Sequence, residues 1–211
     1  MRTAIYSDVH GNLPAFEAFV EITKREVDFY LNLGDLVNYG PWSNECVDLA
    51  LSLPTWGNIL GNHEELFLDP ELISNEMELV QLFFNSTYSR FNRIKEISDF
   101  KKTLHFAGFE AKHTIENLRV YPDTKIELKN NWLIGHTHHQ FVYENSGFKL
   151  VNPGSVGQNR RNLETVQYAI HDEKGGKIEF FSFKQDSSSL MQKMISLNYP
   201  EDCLKYYQSK I

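Results

Sequence analysis

The sequence predicts an α/β fold with two sheets, one parallel-rich and one hairpin-rich, and helices outside. Three observations predict it. Through residue 60, short apolar runs alternate with segments of helical period, the signature of a parallel sheet with covering helices. From Thr103 the period shifts towards two, and turn pairs such as Ala107-Gly108 and Gly175-Gly176 punctuate it. Several apolar runs also end in loops rich in Asp, Asn and His, so chemistry is placed at strand ends, where open α/β sheets bind ligands.

In chain order, Thr3–Ser7 reads as the first strand, with Asp8, His10, Gly11 and Asn12 in the loop after it. Pro14 suits a first helical turn, where its missing N–H would have had no partner. Leu13, Phe16 and Val20 then share one face. Phe29–Leu33 is the second strand and Gly34-Asp35 its terminal loop. Ser43 is the expected cap of a second helix, whose Cys46, Leu49, Ala50 and Leu53 recur at helical spacing and which Pro54 ends. Ile59-Leu60 close a third strand before the loop Gly61-Asn62-His63-Glu64.

Residues 65–100 break this rhythm. Met77, Val80, Phe84 and Tyr88 line one helical face, so the segment is either buried on several sides or part of a helical cap over the site. Arg90, Arg93 and Lys95 form a basic cluster, read first as a solvated face and second as a phosphate contact. Thr103–Phe106 with Phe109–Thr114 is the first hairpin, and His113 closes its second arm. Trp132-Leu133-Ile134 leads into Gly135-His136-Thr137-His138-His139. Gln140–Glu144 and Phe148–Val151 form a second hairpin. Val166, Tyr168 and Ile170 alternate as strand residues, Lys177–Phe183 returns, and Leu190, Met191, Met194 and Ile195 mark a helix in the tail.

At 211 residues the chain is expected to be one domain, residues 1–211, with 41% hydrophobic and 23% charged residues. A net charge of -7 argues against a broad nucleic-acid surface, yet allows a small phosphoester or nucleotide substrate. Cys46 and Cys203 have no metal or redox spacing, and Cys46 on its apolar stripe reads as a buried thiol. No signal-peptide pattern precedes Thr3, and no apolar run reaches membrane-spanning length, so a cytoplasmic protein with no membrane partner is expected. A homo-oligomer stays open.

The candidate site lies in the polar loops. An extended segment would point Asp8 and His10 the same way, towards one ion, and His136 and His138 share that spacing. Asn62 offers a neutral carbonyl oxygen. Asp35 has two carboxylate oxygens to share between two cations.

Asp8-Val9-His10-Gly11-Asn12, Gly34-Asp35, Gly61-Asn62-His63-Glu64, Gly135-His136-Thr137-His138 and Asn152-Pro153-Gly154-Ser155-Val156-Gly157-Gln158, in this order, resemble the calcineurin-like metallophosphoesterase superfamily. The likeness is closest to its small bacterial and archaeal phosphodiesterase branch, which also shows a Tyr-Gly-Pro like Tyr39-Gly40-Pro41, and some of whose relatives hydrolyse diadenosine tetraphosphate. The resemblance implies an αββα sandwich of two mixed sheets. It implies that Asp8, His10 and His138 hold one metal, that Asn62, His113 and His136 hold the other, and that Asp35 bridges them. His63 would be the general acid. The ligand types favour Mn, Fe or Zn, with Mn first, as two divalent or trivalent ions. Arg160, after the Asn-Pro-Gly-Ser loop, is a candidate for holding the phosphoryl group together with Asn62.

Two departures from the family pattern stand out. His113 is followed by Thr114-Ile115-Glu116 where the branch usually has Gly-Ser-Pro. The phosphoprotein phosphatases of the superfamily carry a second Asp that orients the acid His, whereas this chain has Asn38 in that area. The tuning of His63 is thereby left unassigned, with Glu64 the neighbour considered. The expected function is a dinuclear phosphoesterase acting on phosphodiester or nucleotide pyrophosphate-type bonds through a metal-bridging hydroxide. The rivals are a phosphomonoesterase and a protein-binding scaffold on the same fold.

Overall fold

The alternation of side chains along each strand decides how the layers stack. In β1 (Arg2–Tyr6) Ala4 and Tyr6 face the helices, while Ile5 between them faces the second sheet. In β2 (Phe29–Asn32) Tyr30 and Leu31 divide in the same way. A computed structural model describes residues 1–116 and 118–211.

The first sheet adds β3 (Thr55–Asn58), β9 (Thr165–Asp172) and β10 (Lys177–Lys184), in the order β10-β9-β1-β2-β3. Strands β1, β2 and β3 run parallel, and β9 and β10 pair antiparallel at the other edge. The second sheet has the order β4-β5-β6-β8-β7, from β4 (Leu104–Phe106), β5 (Phe109–Ala111), β6 (Trp132–Leu133), β7 (Gln140–Asn145) and β8 (Phe148–Pro153). Here β5, β6 and β8 are parallel, and β4 and β7 are antiparallel partners. Both sheets are therefore mixed, as the sandwich expectation required.

Between the sheets lie Ile5, Leu31, Leu33, Phe106, Leu133, Val151 and Ala169. A larger cluster joins the other face of the first sheet to α1 (Leu13–Thr23), α2 (Ser43–Ser52), α3 (Asn62–Leu68), α4 (Glu78–Thr87), α5 (Ile94–Ser98), α6 (Ser188–Ser196) and α7 (Glu201–Gln208). On the far face of the second sheet, Ile115, Val120 and Leu128 from the β5–β6 connection pack with Ile134, Phe141 and Leu150. Among the described residues, no helix is long and apolar enough to cross a membrane.

Several local expectations shift. The third strand ends at Asn58: Ile59 still donates its N–H to Asn32 O of β2, but Leu60 turns to Lys101 O. Asn62-His63-Glu64, expected in a loop, opens α3. Ser43 does not cap α2; its hydroxyl accepts the Asn38 N–H at 3.1 Å, fastening the Asp35 loop to the helix start. The tail holds a second helix, α7, beyond the one expected. Cys46 and Cys203 are buried free thiols.

Candidate metal centre

Six loops build the site, and each leaves the C-terminal end of a strand that runs parallel to a neighbour. Strands β1, β2 and β3 supply Asp8 and His10, Asp35, and Asn62 and His63. Strands β5, β6 and β8 supply His113, His136 and His138, and Arg160. Asp8, His10, Asp35, His136 and His138 all have φ between 49 and 68°. Asp8 and His10 therefore do not reach the site from the extended segment that their spacing predicts. The chain has already left β1 and coils through the left-handed region, turning successive side chains inward. Such backbone costs energy in a non-glycine residue and collects at functional sites. Gly61 is required for a different reason: a Cβ there would lie 2.2 Å from Asp35 Oδ1.

Two groups of donor atoms converge. In the first, Asp8 Oδ1 lies 3.3 Å from His138 Nε2 and 3.8 Å from His10 Nε2. In the second, Asn62 Oδ1 lies 2.8 Å from His136 Nδ1 and 3.1 Å from His113 Nε2. Asp35 Oδ2 stands between them, 3.7 Å from His10 Nε2 and 3.0 Å from His113 Nε2. One oxygen, not two, therefore faces both groups. Oδ1 is taken by the His63 backbone N–H at 3.0 Å. His113 keeps its place despite the altered residues after it, because its Nδ1 donates to Leu33 O at 2.7 Å.

Backbone carbonyls set the tautomers. His10 Nδ1 donates to Val37 O at 3.2 Å, and His138 Nδ1 donates to Gln158 O. Their Nε2 lone pairs are thereby aimed inward, an arrangement typical of metal-binding histidines. Burial holds both rings well below the usual histidine range, so they are neutral. Both carboxylate oxygens of Asp8 are buried without a hydrogen-bond partner, and burial pushes this carboxyl up to about 7. Orphaned oxygens beside inward-facing lone pairs are expensive unless a cation neutralises them. Burial alone would push Asp35 up and His113 down. Their mutual attraction reverses both, leaving Asp35 well below its ordinary value and His113 up to about 10. A metal held by both residues would replace this 3.0 Å contact between His113 Nε2 and Asp35 Oδ2. The residues present therefore fit a metal centre of oxygen and imidazole donors without thiolate.

His63 belongs to neither group, although its ring comes within 4.8 Å of the donor atoms of His10 and Asp35. Its Nδ1 is 2.9 Å from Asn38 Nδ2. Asn38 Oδ1 accepts from the Tyr39 N–H at 2.7 Å and the Thr87 hydroxyl at 3.2 Å, which orients the amide with its NH₂ towards His63. His63 Nδ1 is then the acceptor, and Nε2 carries the hydrogen. Burial pushes the ring down to about 4. Glu64 does not orient His63. Its carboxylate accepts the N–H groups of Asp35, Leu36, Val37 and Gly61, holding the bridge loop against α3.

Three contributors escaped the sequence reading. Asn38 enters the sequence pattern only as a departure from the family. Tyr39 packs its ring edge-on against His10 and His63, with centroids 4.8 and 5.1 Å away, and its place in Tyr-Gly-Pro was the available signal. Tyr206 on α7 donates no motif at all, yet Arg160 Nη1 reaches its hydroxyl at 3.0 Å. Arg160 Nη2 lies 3.4 Å from His138 Nε2, so the guanidinium sits over the first group of donors. Arg90, Arg93 and Lys95 line neither cavity beside the site. Arg93 pairs with Asp48 at 2.7 Å and Arg90 lies over the Tyr199 ring.

The fold and the converging donor atoms are those of a phosphoesterase with candidate metal ligands. The chain belongs to the calcineurin-like phosphoesterase family, whose model matches residues 1–169. It is 28% identical to an uncharacterized protein of Methanocaldococcus jannaschii, over 94% of this chain and 93% of that one. A metallophosphoesterase from Sphaerobacter thermophilus shares the fold with a TM-score of 0.77 and 22% identity, covering 100% of this chain and 99% of the other. A hypothetical protein from Pyrococcus horikoshii OT3 does so with a TM-score of 0.81 and 18% identity, covering 98% and 97%.

Proposed function

We propose that this protein is a dinuclear-metal phosphodiesterase acting on phosphodiester or nucleotide pyrophosphate-type bonds. The observation that carries the reading is Asp35 Oδ2, set between two groups of inward-facing donors. Asp8, His10 and His138 would hold one ion, Asn62, His113 and His136 the other, with Asp35 shared. Bound there, Mn, Fe or Zn supplies Lewis acidity that acidifies water and offsets charge on the phosphoryl oxygens. Arg160, braced by Tyr206, holds a phosphoryl oxygen. His63, once it has taken up a second proton to become the imidazolium, would give its Nε2 proton to the leaving oxygen as the P–O bond breaks and return to the neutral ring that burial favours.

A diester is favoured over a monoester because two cavities meet at the donor atoms, with Asn62 and His136 in the walls of both. One of about 260 Å³ includes His63, Tyr39 and Arg160; the other, of about 310 Å³, includes His113, Thr114 and Lys102. Two lobes accommodate two ester arms. Specificity constants for bis-aryl and mono-aryl phosphates, measured with the same metal, test this. A diester preference is expected, and a monoester preference would reassign the protein as a phosphatase. A protein that binds no metal and turns over neither substrate would instead be a scaffold.

A further inference from the structure

The walls of the two lobes differ. We propose that the lobe bordered by Met77, Val80, Tyr121 and His139 is a subsite for a flat aromatic arm of the diester, and that this arm is the one that leaves. The inference rests on the phosphodiester reading and adds the leaving-group class.

The position of His63 gives the direction. It lines this lobe and not the other. In hydrolysis, water adds its oxygen to phosphorus, the P–O bond to one arm breaks, and that arm's oxygen takes a proton. The proton donor assigned above, His63, lines only this lobe, so the arm bound here is the leaving one, and Lys102 and Thr114 of the other lobe are left to bind the retained arm.

The chemistry of the wall gives the class. Met77 is 65% exposed and Tyr121 38% exposed, both at a cavity that also holds the metal donors. Large apolar side chains left open beside a functional cavity mark a surface that a ligand covers. Tyr121 is braced rather than loose. Its ring meets His139 edge-on at 5.5 Å and 77°, and His139 Nδ1 is fixed to Thr137 O at 2.6 Å. Val80 is buried behind them on α4. A braced aromatic ring and a pliable thioether in the wall of one cavity suit a planar ring, since both aromatic faces and methionine sulfur pack well against one. An aliphatic arm would leave the Tyr121 face without a partner of its own shape.

The test uses the Mn-loaded protein and two diesters that both release 4-nitrophenolate: bis(4-nitrophenyl) phosphate and methyl 4-nitrophenyl phosphate. The leaving arm is the same and the retained arm is aryl or methyl. Tyr121→Ala and Met77→Ala, both at exposed positions, should raise KM for both diesters by about five- to tenfold, in keeping with the loss of an aromatic contact and its burial. Val142→Ala, on the exposed face of β7, is the control. A rise for the bis-aryl diester alone would place the aromatic arm on the retained side and overturn the assignment. Changes no larger than in Val142→Ala would overturn the subsite itself. Calorimetric binding of 4-nitrobenzylphosphonate, which is not hydrolysed, gives a readout apart from turnover, and Tyr121→Ala should weaken it about fivefold. If the native protein hydrolyses neither diester yet shows that loss of binding, the diesterase reading falls and the aromatic subsite stands. Unchanged phosphonate affinity overturns the subsite.

Discussion

The Nε2 atoms of His10 and His138 face each other across 3.3 Å. Each ring has already given its Nδ1 hydrogen to a carbonyl, of Val37 and Gln158 respectively. Two lone pairs held this close, with the unpartnered Asp8 Oδ1 beside them, repel unless something positive lies between.

The protein should therefore bind two transition-metal ions per chain and be markedly stabilised by them. A ligand that binds only the folded state adds about 2.7 kcal/mol at a hundredfold excess over its dissociation constant. Elemental analysis after reconstitution, with thermal melts before and after chelation, measures both effects. A stoichiometry near zero with a melting temperature indifferent to chelator contradicts the assignment.

Asp35→Asn should do more damage than Asn62→Ala. The first removes charge from the one oxygen that faces both groups, and the second removes a neutral donor from one group. Loss of the shared carboxylate should lower occupancy at both positions and reduce kcat by at least about a hundredfold, the scale expected when charge stabilisation of the transition state fails. Metal content of the two variants, measured side by side, decides it. Full occupancy and near-native turnover in Asp35→Asn would show that Asp35 is not the bridge.

Much of this centre was legible in the sequence because the chemistry sits in short local motifs. Asp8 and His10, or His136 and His138, announce themselves as close pairs, and an apolar run before each places it at a strand end. The local geometry was not legible: these loops coil through positive φ, which a two-residue spacing cannot distinguish from extension. Asn38 was visible only as a missing aspartate, because its role depends on Thr87, 49 residues away on α4. Tyr206 was invisible. Nothing near it in sequence bears on phosphate, and it reaches the site only because α7 folds back beside α4. The sheets were readable from period two and turn pairs. The start of α3 was not, because an Asn-His-Glu run reads as a polar loop until Glu64 is seen gathering four backbone N–H groups.

Tyr206→Phe removes one oxygen and keeps the ring that packs near Phe83 and Tyr39. The fold should stay intact while Arg160 loses its brace. If Arg160 holds a phosphoryl oxygen, the variant should raise KM for a diester about three- to tenfold, as expected for a hydrogen bond to a charged group. Arg160→Lys should fare worse, since an ammonium cannot reach the Tyr206 hydroxyl and the phosphoryl oxygen together. Unchanged KM in both variants would leave Arg160 as a structural support.

His63 can be separated from the metal donors by varying the leaving group. A nitrophenolate is stable as an anion and needs little help, whereas a ribose or alkyl alkoxide leaves poorly without a proton. Positioned proton donors typically contribute about 10²–10⁴-fold where one is needed. His63→Ala should therefore cut turnover of a nucleoside diester far more than that of an aryl diester, with metal content intact. Asn38→Leu should follow the same pattern in weaker form, because it frees His63 to take the other tautomer. It should also cost about 1–3 kcal/mol of stability by leaving the Tyr39 N–H and Thr87 hydroxyl without their buried acceptor. His138→Ala should instead impair both substrates equally, since it strips a donor from the first group. Equal losses for both leaving groups in His63→Ala, accompanied by lost metal, would falsify its role as proton donor and make it a ligand.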